Sequence, residues 1–103
     1  MSDDLFDQGI KVRRQVMGDA FVDRALASID DFTRDLQGLV TEVAWGRIWS
    51  RPGLDHKTRS LLNLAMLSAL NRPTEFKGHV RGAINNGCTQ EEIRETLLQV
   101  AVY

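Results

Sequence analysis

The sequence predicts an all-α protein, on three observations. Apolar residues recur at helical rather than alternating intervals, two prolines and scattered glycines cut the chain into pieces of helical length, and cap residues stand at several of the cuts. From about Asp4 to Met17, Leu5, Ile10, Val12, Val16 and Met17 are loosely periodic among charges and stop at Gly18, as at a helix C-terminus. Phe21, Val22, Ala25 and Leu26 mark a shorter helix before a polar break at Ser28–Asp31. A stronger pattern then places Phe32, Leu36, Leu39, Val40, Val43 and Ile48 near one face of a helix that runs to about Trp49, with Asp30 or Asp31 as N-cap. Arg51-Pro52-Gly53 breaks it, and Asp55 caps the next helix.

That next helix carries Leu61-Leu62-Asn63-Leu64-Ala65-Met66-Leu67-Ser68-Ala69-Leu70, apolar around nearly its whole circumference. Such a helix needs cover on all sides, more than a chain of 103 residues can supply. After a turn at Asn71-Arg72-Pro73, with Thr74 as cap, a helix over Glu75–Asn86 is stopped by Gly87. Thr89-Gln90-Glu91-Glu92 reads as a capping box, and Ile93, Leu97, Val100 and Ala101 form the inner face of the last helix, widened by Leu98 and Val102. The chain is expected to be one domain over 1–103.

Composition excludes several function classes. With 43% hydrophobic and 26% charged residues the chain is globular rather than disordered. Thirteen Lys+Arg against fourteen Asp+Glu provide no field for nucleic acid or an anionic membrane, and the basic runs Lys11-Val12-Arg13-Arg14 and Arg72/Lys77/Arg81 are offset by nearby acids. The expectation is therefore no nucleic-acid partner, no membrane and a cytoplasmic location, since the Met-Ser-Asp-Asp start is not a secretory n-region. A lone cysteine, Cys88, cannot make a CxxC pair, and no spacing suits a metal site or a phosphate-binding glycine loop. Any enzyme reading is then one without cofactor or metal.

Residues with chemical potential cluster in two stretches. Glu75 and His79 are four apart on one predicted helix, so a carboxylate can orient an imidazole for proton transfer near neutral pH; a solvated helix face has the same pattern. His56 reads as a surface residue. Trp45 and Trp49 share a face and can wall a pocket, as they can equally fill a core. Arg47 and Arg51 repeat the four-residue interval, and a guanidinium there either clamps a carboxylate or faces solvent. Arg59, in the first turns of the apolar helix, must either emerge at the surface or face a polar hollow, which makes it a candidate anion binder.

The blocks Trp45-Gly46-x-x-Trp49-x-Arg51-Pro52-Gly53-Leu54, Lys57-Thr58-Arg59-Ser60-Leu61-Leu62-Asn63-Leu64-Ala65-Met66, His79-Val80-Arg81-Gly82-Ala83-x-Asn85-Asn86-Gly87 and Glu91-Glu92-Ile93-Arg94-Glu95 resemble the carboxymuconolactone decarboxylase family over almost the whole chain. The resemblance implies an alkylhydroperoxidase-D-like fold of about six helices and a homo-oligomer, expected to be a hexamer built as a trimer of dimers. It implies cofactor-free decarboxylation of 4-carboxymuconolactone, a small anionic lactone, to 4-oxoadipate enol-lactone in aromatic catabolism. His79 would donate the proton, oriented by Glu75; Arg59 or Arg51 would hold a carboxylate or the oxyanion, and Trp45 and Trp49 would form apolar walls. Alternatives within the same resemblance are another small lactone or keto acid, or a non-catalytic oligomeric binding protein. In the related peroxidases a C-x-x-C-x-x-x-H pattern carries the activity; here its histidine falls on His79 and its cysteines on Arg72 and Glu75, so the nucleophile is missing. Arg47 stands where the family is expected to have a small residue, and the family is expected to continue past the equivalent of Tyr103.

Overall fold

The computed structural model describes residues 2–103, with side chains from Asp4 onward. Among them the secondary structure is entirely helical: α1 (Ser2–Met17), α2 (Asp19–Ala27), α3 (Arg34–Leu39) continuing as a π-helical segment (Val40–Ile48), α4 (His56–Ala69), α5 (Pro73–Asn85) and α6 (Gln90–Val102). The all-α class is as the sequence predicts. The helices gather into two compact units, 1–53 and 54–103.

In the first unit, α1 runs antiparallel to α3 and the π segment, and two glycines permit the approach. A Cβ on Gly9 would collide with the Thr41 carbonyl, and one on Gly46 would lie 2.7 Å from the Leu5 carbonyl oxygen. Val12, Val16, Met17 and Val22 pack there with Trp45 and Trp49. Two expectations are corrected here. The helix begins at Arg34 because Asp30 Oδ1 accepts from the Thr33 backbone N–H (2.9 Å) and so closes a separate turn. The buried face is Thr41, Trp45, Gly46 and Trp49, while of the apolar stripe expected to face inward only Val40 packs against the core; the rest is on the outside, Phe32 being 95% exposed and Leu36 and Leu39 60%. The π geometry explains the exchange. Its wider turn, seen where Trp49 N–H reaches back five residues to the Ala44 carbonyl (2.9 Å), brings positions four apart closer to alignment than ordinary helical pitch does.

In the second unit, Leu64, Ala83 and Cys88 form the core, with Leu61, Phe76, Val80 and Ile93 packed around it. Its helices end and begin where the sequence says they should. Asp55 Oδ1 accepts from the Thr58 N–H (2.8 Å), and Thr89 and Glu92 exchange both capping-box bonds, at 2.8 and 3.0 Å. At Gly87, φ is +88°, and paired bonds Gly87 N–H to Ile84 O (3.0 Å) and Cys88 N–H to Ala83 O (2.9 Å) close a Schellman motif. Asn71 does the same for α4 with φ +57°, a left-handed position asparagine tolerates. Thr74 is not the cap of α5: Arg72 holds that place and Pro73 opens the helix, its missing N–H costing nothing there. Ser60, wholly buried, accepts from Asn86 Nδ2 at 2.8 Å, and Lys57 pairs with Glu92 at 2.8 Å, tying α4 to α5 and α6.

The second unit leaves apolar surface uncovered. Leu62, Met66 and Leu70 are exposed on α4, as are Leu98 and Val102 on α6. The expected enclosure of α4 is therefore absent within the chain, and Ala101, assigned to the inner face of α6, is exposed. A groove of about 670 Å³ runs between α4 and α6, lined by Leu61, Leu62, Ala65, Met66, Val100 and Tyr103 among others. Among the described residues no helix is long and apolar enough to cross a membrane.

Candidate active site

His79 lies in the middle of α5, half-buried, with its Nδ1 3.4 Å from Nδ2 of Asn63 on α4. An amide NH2 can only donate, so Nδ1 is the acceptor, and a neutral ring keeps its proton on Nε2. Asn63 thereby selects the tautomer that presents Nε2–H as a hydrogen-bond donor. Sequence reasoning passed over this residue because its partner is sixteen positions away and asparagine on an apolar helix has no motif. The available signal was a polar residue in the middle of Leu61–Leu70, where a buried amide needs a bond.

Arg59 is one turn before Asn63 on α4, half-buried, with its Nε withdrawn from solvent. The arginine and the imidazole's amide partner thus occupy one side of the same helix. Glu75, exposed at the start of α5, accepts from Arg72 Nη2 at 3.2 Å. Its carboxyl is held below the usual range first by a bond from its own backbone N–H, then by Arg72, with the charge interaction with His79 a smaller contribution. Glu75 therefore stays ionised near the histidine, while the bond to ring Nδ1 comes from Asn63.

The other candidates belong to the first unit. Trp45 and Trp49 stack with ring centroids 5.0 Å apart and are each 5% exposed, so both are part of that unit's core. Arg51 is exposed just beyond the π segment, as is Arg47 within it. Cys88 is buried with Sγ 3.5 Å from the Lys57 carbonyl, and desolvation pushes its thiol pKa up, the opposite of a reactive thiolate.

An imidazole held by an amide, an arginine one turn away and a chain without a CxxC pair are features that relatives can be asked to share. The profile of the carboxymuconolactone decarboxylase family matches residues 34–103, which takes in α3 to α6 and every candidate residue above. A nitrosuccinic acid decarboxylase of Metarhizium robertsii is 54% identical over 99 residues, covering 96% of this chain and 69% of the relative. A 4-carboxymuconolactone decarboxylase of Acinetobacter baylyi is 43% identical over 98 residues, covering 95% of this chain and 73% of the relative. With the match spanning both units and most of each relative, the chain belongs to the carboxymuconolactone decarboxylase family.

Proposed function

We propose that this chain is a cofactor-free carboxy-lyase acting on 4-carboxymuconolactone, with His79 as the proton donor. The observation that carries the reading is the Asn63–His79 contact at 3.4 Å in a chain of this family, because it leaves Nε2–H as a donor. In that lactone the departing carboxylate sits on the ring carbon next to the ring oxygen. As its bond breaks, the electron pair flows through the ring double bond onto the lactone carbonyl, and CO2 leaves behind a dienolate. Protonation of the carbon next to the carbonyl yields the enol-lactone. The substrate is its own electron sink, so the protein has to position it, accommodate the negative charge and deliver one proton. Arg59 is assigned to the retained carboxylate or the oxyanion and Glu75 to supporting the imidazole.

A second substrate is favoured by the 54% identical relative. Nitrosuccinic acid poses the same problem: CO2 leaves a carbon bearing a nitro group, the electrons move to the nitro oxygens, the resulting nitronate is protonated on carbon, and a carboxymethyl arm stays behind. The two substrates share that arm and a final protonation on carbon, which falls on the carbon next to the carbonyl in the lactone and on the carbon that lost CO2 in nitrosuccinate. We also propose that the chain works as a homo-oligomer, a reading supported by the apolar residues left exposed on α3, α4 and α6.

The test is CO2 release by the purified chain from each compound, with the enol-lactone or 3-nitropropanoate identified as product. Turnover of the lactone, lowered about 10²- to 10⁴-fold in His79→Ala, supports the reading. Turnover of nitrosuccinate alone moves the assignment to the second substrate, and CO2 from neither ends both.

A further inference from the structure

Ser60 and Asn86 take no direct part in the scheme above, yet they join the two helices that carry it. Asn86, at the C-cap of α5, donates its backbone N–H to the Gly82 carbonyl (2.9 Å), and the Schellman closure at Gly87 follows at once, so its side chain stands on a fixed base. From there Nδ2 reaches two acceptors on α4, the Ser60 hydroxyl oxygen at 2.8 Å and the His56 carbonyl at 3.3 Å. Those acceptors are one turn apart, so a single amide grips a whole turn of α4. Ser60 is wholly buried, which shields its bond from water. Two residues after Asn86, the Cys88 thiol donates to the neighbouring Lys57 carbonyl at 3.5 Å.

The grip lies at a fixed offset from the imidazole. His56 precedes Asn63 by seven residues on α4, and His79 precedes Asn86 by seven on α5. On these antiparallel neighbours the Asn86 contact and the Asn63–His79 contact are therefore two rungs of one register, two turns or about 10 Å apart. Alongside them pack Leu64 and Ala83, both wholly buried. Apolar packing of that kind resists separation of the helices but is non-directional along their length. A slide of one residue's rise, about 1.5 Å, takes a contact already at 3.4 Å beyond hydrogen-bonding reach. The Asn86 bonds are directional and oppose that slide. We propose that Asn86 is a positioning residue for the decarboxylation: through Ser60 and His56 it fixes the register of α4 on α5, and that register keeps Asn63 on Nδ1 of His79. Its part in turnover rests on the reading of His79 given above, whereas its effect on the ring does not.

The experiment reads the ring directly. In the full chain carrying ¹⁵N-labelled histidine, at a pH where the ring is neutral, the Nδ1 and Nε2 resonances of His79 report the tautomer, and a His79→Gln variant assigns them. The wild-type chain should show the Nε2–H form, and Asn86→Ala should displace both resonances towards a mixture of tautomers. Ser60→Ala, which removes one of the two acceptors, should displace them less in the same direction, and it decides the matter if Asn86→Ala does not fold. In Asn63→Leu the ring is already released, so adding Asn86→Ala should move the resonances no further. Turnover should fall about tenfold in Asn86→Ala, the loss of one oriented hydrogen bond at the imidazole. Ring resonances that stay in place in the folded variants overturn the proposal and make Asn86 a structural tie, even where melting temperature or turnover falls. A further displacement in the double variant also overturns it, because Asn86 would then act on the ring by another route. Displaced resonances in a chain that decarboxylates neither acid support the register and remove only its part in turnover.

Discussion

Gly9 shows how much can depend on one hydrogen atom. Its α-carbon faces the Thr41 backbone so closely that a methyl group has nowhere to go, and the obstacle is a carbonyl, which cannot rotate aside. Gly9→Ala should destabilise the fold by about 1–3 kcal/mol or more through overpacking, despite alanine's better helix propensity. Urea denaturation checks it; an unchanged midpoint would mean that α1 can move away without loss. At His79 the corresponding experiment is on its partner. Asn63→Leu removes the donor to Nδ1 and frees the ring to adopt either tautomer, so decarboxylation should fall about tenfold, the loss of one oriented hydrogen bond, with a displaced pH profile. A change in turnover with the profile unmoved would show Asn63 to be packing only.

At the scale of elements, the caps are local chemistry and carry local predictions. Thr89→Ala removes the hydroxyl that accepts from Glu92 N–H and should cost about 1 kcal/mol, with faster amide exchange confined to the first turn of α6. The caps also set the acid limb of stability. Asp55 is held below its ordinary pKa of 3.8 first by the Thr58 backbone N–H, Asp30 below the same value by the Thr33 N–H, and Glu92 below 4.5 first by Lys57. The unfolded chain binds these protons at ordinary values and the folded chain only at lower pH. Their contribution is therefore complete above those values and is lost as pH falls through the depressed folded ones. The melting temperature should be level from pH 7 to 5 and drop below about pH 4. Asp55→Asn, which keeps a capping oxygen, should soften that drop.

At the scale of the whole molecule, the dominant fact is apolar surface. Phe32, Leu36 and Leu39 on one unit, and Leu62, Met66 and Val102 on the other, are exposed in a chain whose two cores are small. Stable monomers rarely keep such patches wet. Sedimentation velocity should find a species several times the chain's mass, and Leu36→Glu or Met66→Glu should shift it towards the monomer. A wild-type chain that stays monomeric at tens of micromolar would remove the oligomer proposal.

What the sequence determined alone is the set of things decided within a few residues of chain. Helix starts at Asp55 and Thr89 and the stop at Gly87 were legible because a cap is a bond between neighbours, and the family was legible because its blocks are long. Three features were decided only by tertiary structure. The face buried by residues 41–49 depends on a π turn and on two glycine approaches, so a stripe drawn at ordinary helical pitch chose the exposed side. The bond to His79 comes from Asn63 on another helix. Arg13 is 8% exposed, whereas Arg14 pairs at the surface with Asp19 and Asp23. Adjacent and alike, the two differ only in which way α1 is turned against its neighbour, and that rotation is set by the packing of a core that no short stretch of sequence contains.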